Sequence, residues 1–160
     1  MKHFLFFILF SFLTSINHAQ ENTSKQRTIF LELGGSAGLA SFNYEKEFKS
    51  YTNLSLRFRS GFSYAPIDKN NGSSLIFPLM IQGLIGKKNH KLELGIGQGI
   101  TLTTRLHFFF LTTPALGYRF ESPESNWIFR ATYTPLISYL VDFQYQHWAG
   151  LSVGYKLKSK

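Results

Sequence analysis

The sequence predicts an all-β fold, an eight-stranded antiparallel up-and-down transmembrane β-barrel, and three observations carry that expectation. Apolar residues fall on every second position from Ser50 to Gly97 and again near the C-terminus, which is the period of a strand. The positions between them hold Gly, Ser, Thr and charges of both signs, as in Asn53-Leu54-Ser55-Leu56-Arg57-Phe58-Arg59 and Lys91-Leu92-Glu93-Leu94-Gly95-Ile96-Gly97. Eight such segments follow one another with no competing helical period. One face greasy and the other small or ionic is what a bilayer requires of spanning strands, whose outside meets lipid and whose inside is polar.

Residues 1–19 carry a separate signal. Lys2 and His3 give a basic start, Phe4 to Ile16 an apolar core interrupted only by Ser11, Thr14 and Ser15, and Ala19 a small residue for cleavage. This is the pattern of a cleaved secretory signal peptide; it falls short of the roughly 20 apolar residues of a spanning helix. Residues 20–160 then form one barrel domain with no linker dividing it. The chain has no cysteine, hence neither a disulfide framework nor a lipid-attachment thiol.

Composition agrees. Aromatic residues make up 17% and charged residues 16% of the chain, against about 25% charged in soluble domains. The net charge of +8 raises the question of nucleic acid. The basic residues are scattered over strands and turns, however, and the export signal points away from an intracellular partner. Anionic lipid head groups are the simpler counterpart, so outer-membrane lipids are the expected partner and nucleic acid is not.

Eight strands succeed one another along residues 28–157. The first, Thr28 to Ala37, brings Glu32 to the inner face and ends in the tight Gly34-Gly35-Ser36-Ala37-Gly38 connection. The second, Leu39 to Phe48, turns Glu45 and Glu47 inward and Lys46 outward, near an end from which it can snorkel. The third, Thr52 to Ala65, sets Leu54, Leu56, Phe58 and Phe62 against lipid and Arg57 and Arg59 inside. The fourth, Ser74 to Ile85, exposes Phe77, Leu79 and Ile81 and contains Pro78. The fifth, His90 to Thr103, exposes Leu92, Leu94 and Ile96 and turns Lys91, Glu93, Gly95 and Gly97 inward; Gln98 breaks its alternation, marking a bulge or a shift of register. The sixth, Phe108 to Glu121, contains Pro114 and turns Gly117 and Arg119 inward. The seventh, Asn126 to Ile137, places Arg130 and Thr132 inside and contains Pro135. The eighth, His147 to Leu157, exposes Leu151, Val153 and Tyr155 above an inner Ser152, Gly154 and Lys156. Most exceed the roughly 9 to 11 residues that a tilted strand needs to cross. The three prolines cannot donate to a ladder and are expected where bulges and fraying are tolerated.

The connections fit both termini being periplasmic. Lys49 to Tyr51, Gly86 to Asn89 and Ser122 to Ser125 are short, as periplasmic turns are, while Pro66 to Ser73, Thr104 to His107 and Ser138 to Gln146 make the external loops.

Two sets of residues follow. An eight-stranded barrel is only wide enough for its own side chains, so Glu32, Glu45, Glu93, Arg57, Arg59, Arg119 and Arg130 are expected to interlock as a polar plug, with Glu47, Lys91 and Lys156 solvated at the rims. Tyr51, Phe120 and Trp127 at one end, with Tyr64, Tyr133 and Trp148 at the other, are expected to be aromatics at the two water interfaces, where an apolar body and a polar tip are both satisfied.

The chain resembles the eight-stranded bacterial outer-membrane barrels of the OmpA membrane-domain and OmpX type and, more closely, the small uncharacterised outer-membrane barrel proteins of Bacteroidota. The resemblance rests on Leu31-Glu32-Leu33-Gly34-Gly35, the run Gly86 to Gly95, Pro114-Ala115-Leu116-Gly117-Tyr118-Arg119-Phe120, the run Phe129 to Leu136, and the run Trp148 to Tyr155. It implies a bacterial outer-membrane location and barrel assembly machinery as a partner in biogenesis, and it is nearly silent on activity; the identity of an external protein or glycan partner is open. Many such barrels end in an aromatic residue; here Tyr155 is expected to serve in its place.

Chemistry is sparse. His147 with Ser152 and His107 with Ser138 are the loose nucleophile and base candidates, but His147 and Ser152 are five apart on one strand and point to opposite faces. His90 sits in a turn beside Lys87 and Lys88, and no His, Asp or Glu spacing matches zinc or calcium. Gly95-Ile96-Gly97-Gln98-Gly99 lies inside a strand and opens no helix, so packing room explains it better than a phosphate loop. No catalytic residue, metal or cofactor is therefore assigned. The leading expectation is a non-enzymatic outer-membrane barrel with a side-chain-plugged lumen and a structural or interaction role through its external loops. The alternatives are a secreted, soluble, lipocalin-like barrel holding a hydrophobic ligand, and a lipid-modifying outer-membrane enzyme.

Overall fold

The computed structural model describes residues 25–68, 72–138 and 143–157; the segment 1–19 assigned to the signal peptide lies outside them. The strands are β1 (Arg27–Gly34), β2 (Ala40–Ser50), β3 (Leu54–Asp68), β4 (Gly72–Lys87), β5 (His90–Thr103), β6 (Phe108–Glu121), β7 (Trp127–Tyr133), β8 (Leu136–Ser138), β9 (Gln144–Gln146) and β10 (Ala149–Leu157). β7 with β8, and β9 with β10, each form one stave interrupted by two residues. Each stave pairs antiparallel with the next, and β1 pairs with β10, so the sheet closes into an eight-stave barrel.

The alternation sets the inside and the outside. Along β7 and β10 exposed and buried residues alternate almost without exception. Leu33, Ile96 and Leu151 are 62%, 61% and 67% exposed, whereas Glu32, Glu93 and Arg119 are each 0% exposed. A water-soluble fold would have the reverse. The inner face also holds apolar residues that the alternation of charges did not announce: Phe30, Met80, Leu84 and Ile128 are all buried.

Several details differ from the sequence expectation. β1 ends at Gly34, and Gly35–Ala37 form a 3-10 turn that folds into the barrel and is buried. Gly34 and Gly35 make this possible with φ of 72° and 81°, a region open to glycine. The Pro66 to Ser73 loop is largely ladder, because Ala65 pairs with Ser74, Pro66 with Ser73 and Asp68 with Gly72. Gln98 marks neither a bulge nor a shift: the register runs unbroken through it on both sides, and Thr112 Oγ1 donates to its Oε1 at 2.9 Å. Among the described residues the register shifts instead between Glu47 and Lys49 on β2, as a bulge, and between Pro66 and Asp68 near the end of β3. Pro78 and Pro114 sit in unshifted ladders with β5, so no bulge accommodates them there.

Short turns at 51–53, 88–89 and 122–126 gather with the start of β1 and the end of β10 at one end of the barrel, called here the turn end; the opposite end is the loop end.

Candidate functional site

The barrel interior gathers charged residues of both signs. β1 brings Glu32, β2 Glu45 and Glu47, β3 Arg57 and Arg59, β5 Lys91 and Glu93, β6 Arg119 and Glu121, β7 Arg130 and β10 Lys156. All follow from the two-residue period, which turns every second side chain of each strand to the axis.

Three arginines meet two carboxylates at the centre. Arg119 donates Nη1 to Glu45 Oε1 at 2.9 Å and Nη2 to Glu45 Oε2 at 2.7 Å, and its Nε lies 3.2 Å from Glu93 Oε2. Arg130 donates Nε to Glu93 Oε2 at 3.0 Å and pairs through Nη2 with Oε1, while Gln82 Nε2 donates to the same Oε1 at 2.6 Å. Arg57 donates Nη1 to Glu45 Oε1 at 2.9 Å and Nη2 to Glu47 Oε2 at 3.3 Å. Toward the loop end Arg59 pairs with Glu32, whose oxygens also accept from Ser152 at 3.2 Å and Ser41 at 3.3 Å. Buried charge is tolerable only when paired and hydrogen-bonded, and bidentate arginine pairs are the strong, oriented form of that pairing.

Phe30 is the apolar centre of this polar core. Its ring lies 5.0 Å from the Arg119 guanidinium carbon and 4.8 Å from that of Arg130, a cation–π arrangement with both. Gly154 stands directly opposite Phe30 in the β1–β10 ladder, and a Cβ there would collide with the ring. Gly97 likewise leaves room for Met80.

At the turn end, Glu121 organises the residues expected to be merely solvated. Lys91 Nζ donates to its Oε2 at 3.0 Å, Gln26 Nε2 donates to its Oε1 at 2.6 Å, and Lys156 Nζ lies 3.5 Å from Oε1. Glu47, assigned to the rim, is buried and accepts from Ser55 at 2.7 Å. The reason is geometric: these strand ends still lie within the barrel mouth, where a free charge would lose water without gaining a partner. Sequence reasoning missed Glu121, although it shares the parity of Gly117 and Arg119. A recess of about 590 Å³ opens here, lined by Gln26, Glu47, Ser55, Arg57 and Lys91 among others.

The aromatics divide. Tyr51, Tyr64, Trp127 and Tyr133 are exposed on the outer face, and Phe120 packs on His90 with ring centroids 5.5 Å apart. Trp148 does not belong with them: it shares the inward parity of Gly150, Ser152 and Gly154, and its Nε1 is enclosed. One residue of displacement along a strand changes the face, and the break at His147-Trp148 hid the parity.

The candidate nucleophile and base pairs have other roles. Ser152 is buried on Glu32, whereas His147 is exposed and its Nδ1 hydrogen-bonds with the Tyr133 hydroxyl at 2.6 Å. His107 uses its backbone N–H on Thr103 Oγ1, and Ser138 pairs with Gln144. His90 Nδ1 hydrogen-bonds with Tyr118 at 2.5 Å on the outer face. Among the described residues no cluster of His, Asp or Glu is arranged to hold a metal.

Two solved structures share the fold. The N-terminal β-barrel domain of OprF from Pseudomonas aeruginosa superposes with a TM-score of 0.57 at 12% identity, covering 83% of this chain and 96% of that one. The outer membrane protein Ail of Yersinia pestis, determined in a phospholipid bilayer nanodisc, gives 0.55 at 14% identity, covering 83% and 99%. At such identities the likeness establishes the eight-stranded barrel fold. No protein-family model and no curated protein sequence matches the chain.

Proposed function

We propose that this chain is a bacterial outer-membrane barrel whose lumen is closed by its own side chains, and that it works by presenting its ends to partners instead of by transport or catalysis. The observation that carries this reading is the inversion of polarity around a closed barrel. A continuous outer face of exposed Leu, Ile, Phe and Tyr surrounds a core of buried Glu and Arg. In water such an outer face would drive aggregation; in a bilayer it is the stable arrangement. The two structural neighbours, one of them described as an outer membrane protein in a bilayer, support the same placement.

Closure rests on two layers. The ion-paired core spans the turn-side half, and the Gly35–Ala37 turn occupies the loop-side half. In this reading residues 1–19 are a signal peptide removed on export, and the barrel assembly machinery inserts the mature chain. A lipocalin-like carrier would keep its apolar residues inside, which is the opposite of the buried set observed here.

Fractionation of cells expressing the full chain tests the location: recovery with the outer membrane and a heat-modifiable gel mobility are expected, and release with the soluble periplasm would overturn it. Planar-bilayer recording of the purified barrel tests closure. Silence is expected, and sustained nanosiemens-sized steps would contradict the plug.

A further inference from the structure

We propose that Arg27, Lys46 and Lys49 form a headgroup site for an anionic phospholipid on the outer rim of the turn end. The proposal rests on the membrane reading above and specifies a partner for one corner of the barrel.

The site begins with a like-charge pair. Arg27 on β1 stands directly opposite Lys46 on β2, and both are exposed on the outer face. Directly opposed residues have Cβ atoms about 4.5 to 5.5 Å apart, and like charges in that position are destabilising. The β2 bulge adds a third cation. An unbulged strand would turn Lys49 inward, toward the carboxylates of Glu47 and Glu121. With Phe48 as the extra residue, Lys49 instead stands opposite Leu56, on the same face as Lys46. Its ammonium lies 5.1 Å from the centre of the Tyr51 ring.

No carboxylate of the described residues answers these three charges. Glu45, Glu47 and Glu121, the acids of neighbouring strand ends, point into the lumen and are held by Arg57, Arg119, Lys91 and Lys156. Just inward along the same face lie Ile29, Tyr44 and Phe58, paired with or flanking the cations in the ladder. Cations above an apolar wall match a glycerophospholipid, whose phosphodiester needs positive charge and whose acyl chains need a greasy surface. A phosphate seated between Arg27 and Lys46 turns a repulsive pair into a bidentate clamp.

The test is native mass spectrometry of the full, folded barrel titrated with phosphatidylglycerol or phosphatidylcholine. Phosphatidylglycerol is expected to be retained preferentially. The variant R27Q/K46Q/K49Q, checked for folding by heat-modifiable mobility, is expected to lose that preference by about tenfold or more. K87Q/K88Q, at the same end but in another turn, is expected to keep it. Should the triple variant fail to fold, Lys49→Gln with rescue by Lys49→Arg supplies the same contrast. Equal retention of both lipids by the native barrel, or an unchanged preference in the variant, would overturn the site. Displacement of the lipid by an equal concentration of inorganic phosphate would show a free-anion site and overturn the lipid assignment. Failure of the native barrel to insert into vesicles at all would count against the membrane reading instead.

Discussion

Arg119 on β6 grips Glu45 on β2 across the full width of the barrel, with both Nη atoms on both carboxylate oxygens at 2.9 and 2.7 Å. In the closed ring of staves these two are diametrically opposite, with three staves between them on either side. The pair is therefore a cross-brace, and it ties together walls that share no backbone hydrogen bond.

Replacing Arg119 by Met should be one of the most destabilising single changes, because it leaves the buried Glu45 and Glu93 with less cationic compensation. A loss of about 3 to 5 kcal/mol is expected, the cost of breaking a buried pair from one side. Pairing it with Glu45→Met should recover much of that loss. Urea unfolding in lipid vesicles measures both, and additive losses in the double variant would show that the brace carries no coupling.

Gly154 faces Phe30 with no room for a side chain. Gly154→Val should destabilise by about 1 to 3 kcal/mol through overpacking, and Phe30→Ala should relieve the strain while giving up the cation–π contacts. A Gly154→Val barrel with native heat-modifiable mobility and unfolding midpoint would refute the packing argument.

The seam between β6 and the β7–β8 stave is weak at one rung. Leu116 pairs with Tyr133 and Thr112 with Ile137, which places Pro114 opposite Pro135. Thr134 donates its N–H to Trp148 on the other side, so position 135 faces β6, and this rung would normally exchange two hydrogen bonds. Two prolines remove both donors. Pro114→Thr with Pro135→Thr should stabilise the barrel by about 1 kcal/mol or more and slow hydrogen exchange at Thr113 and Ala115. Faster exchange there would show that the prolines are not the cause of the weakness.

The chain has no native cysteine, so single introduced cysteines report orientation cleanly. With the turn end in the periplasm, His107→Cys should react with a membrane-impermeant maleimide on intact cells, and Asn89→Cys only after permeabilisation. The reverse labelling pattern would invert the barrel.

Much of this was legible in the residues themselves. The strand period, the outward Leu and Phe runs and the inward parity of Glu32, Glu45, Glu93, Arg57, Arg59, Arg119 and Arg130 all follow from alternation along single strands. Where alternation is broken, legibility fails: the pause at His147-Trp148 hid the inward side of Trp148, and the bulge after Glu47 hid the outward side of Lys49. Phe30 was equally hidden, because an apolar residue in a polar register is recognisable only beside its neighbours.

The alternation of eight strands between a lipid-compatible face and a charged one is written in the residues themselves, since it is a local property of a two-residue period. Which charge meets which is settled by the closing of the ring. Closure sets residues as far apart as Arg119 and Glu45 face to face, folds Gly35–Ala37 inward and leaves Arg27 beside Lys46. Partnership across a closed ring depends on register and circumference, which no single strand encodes.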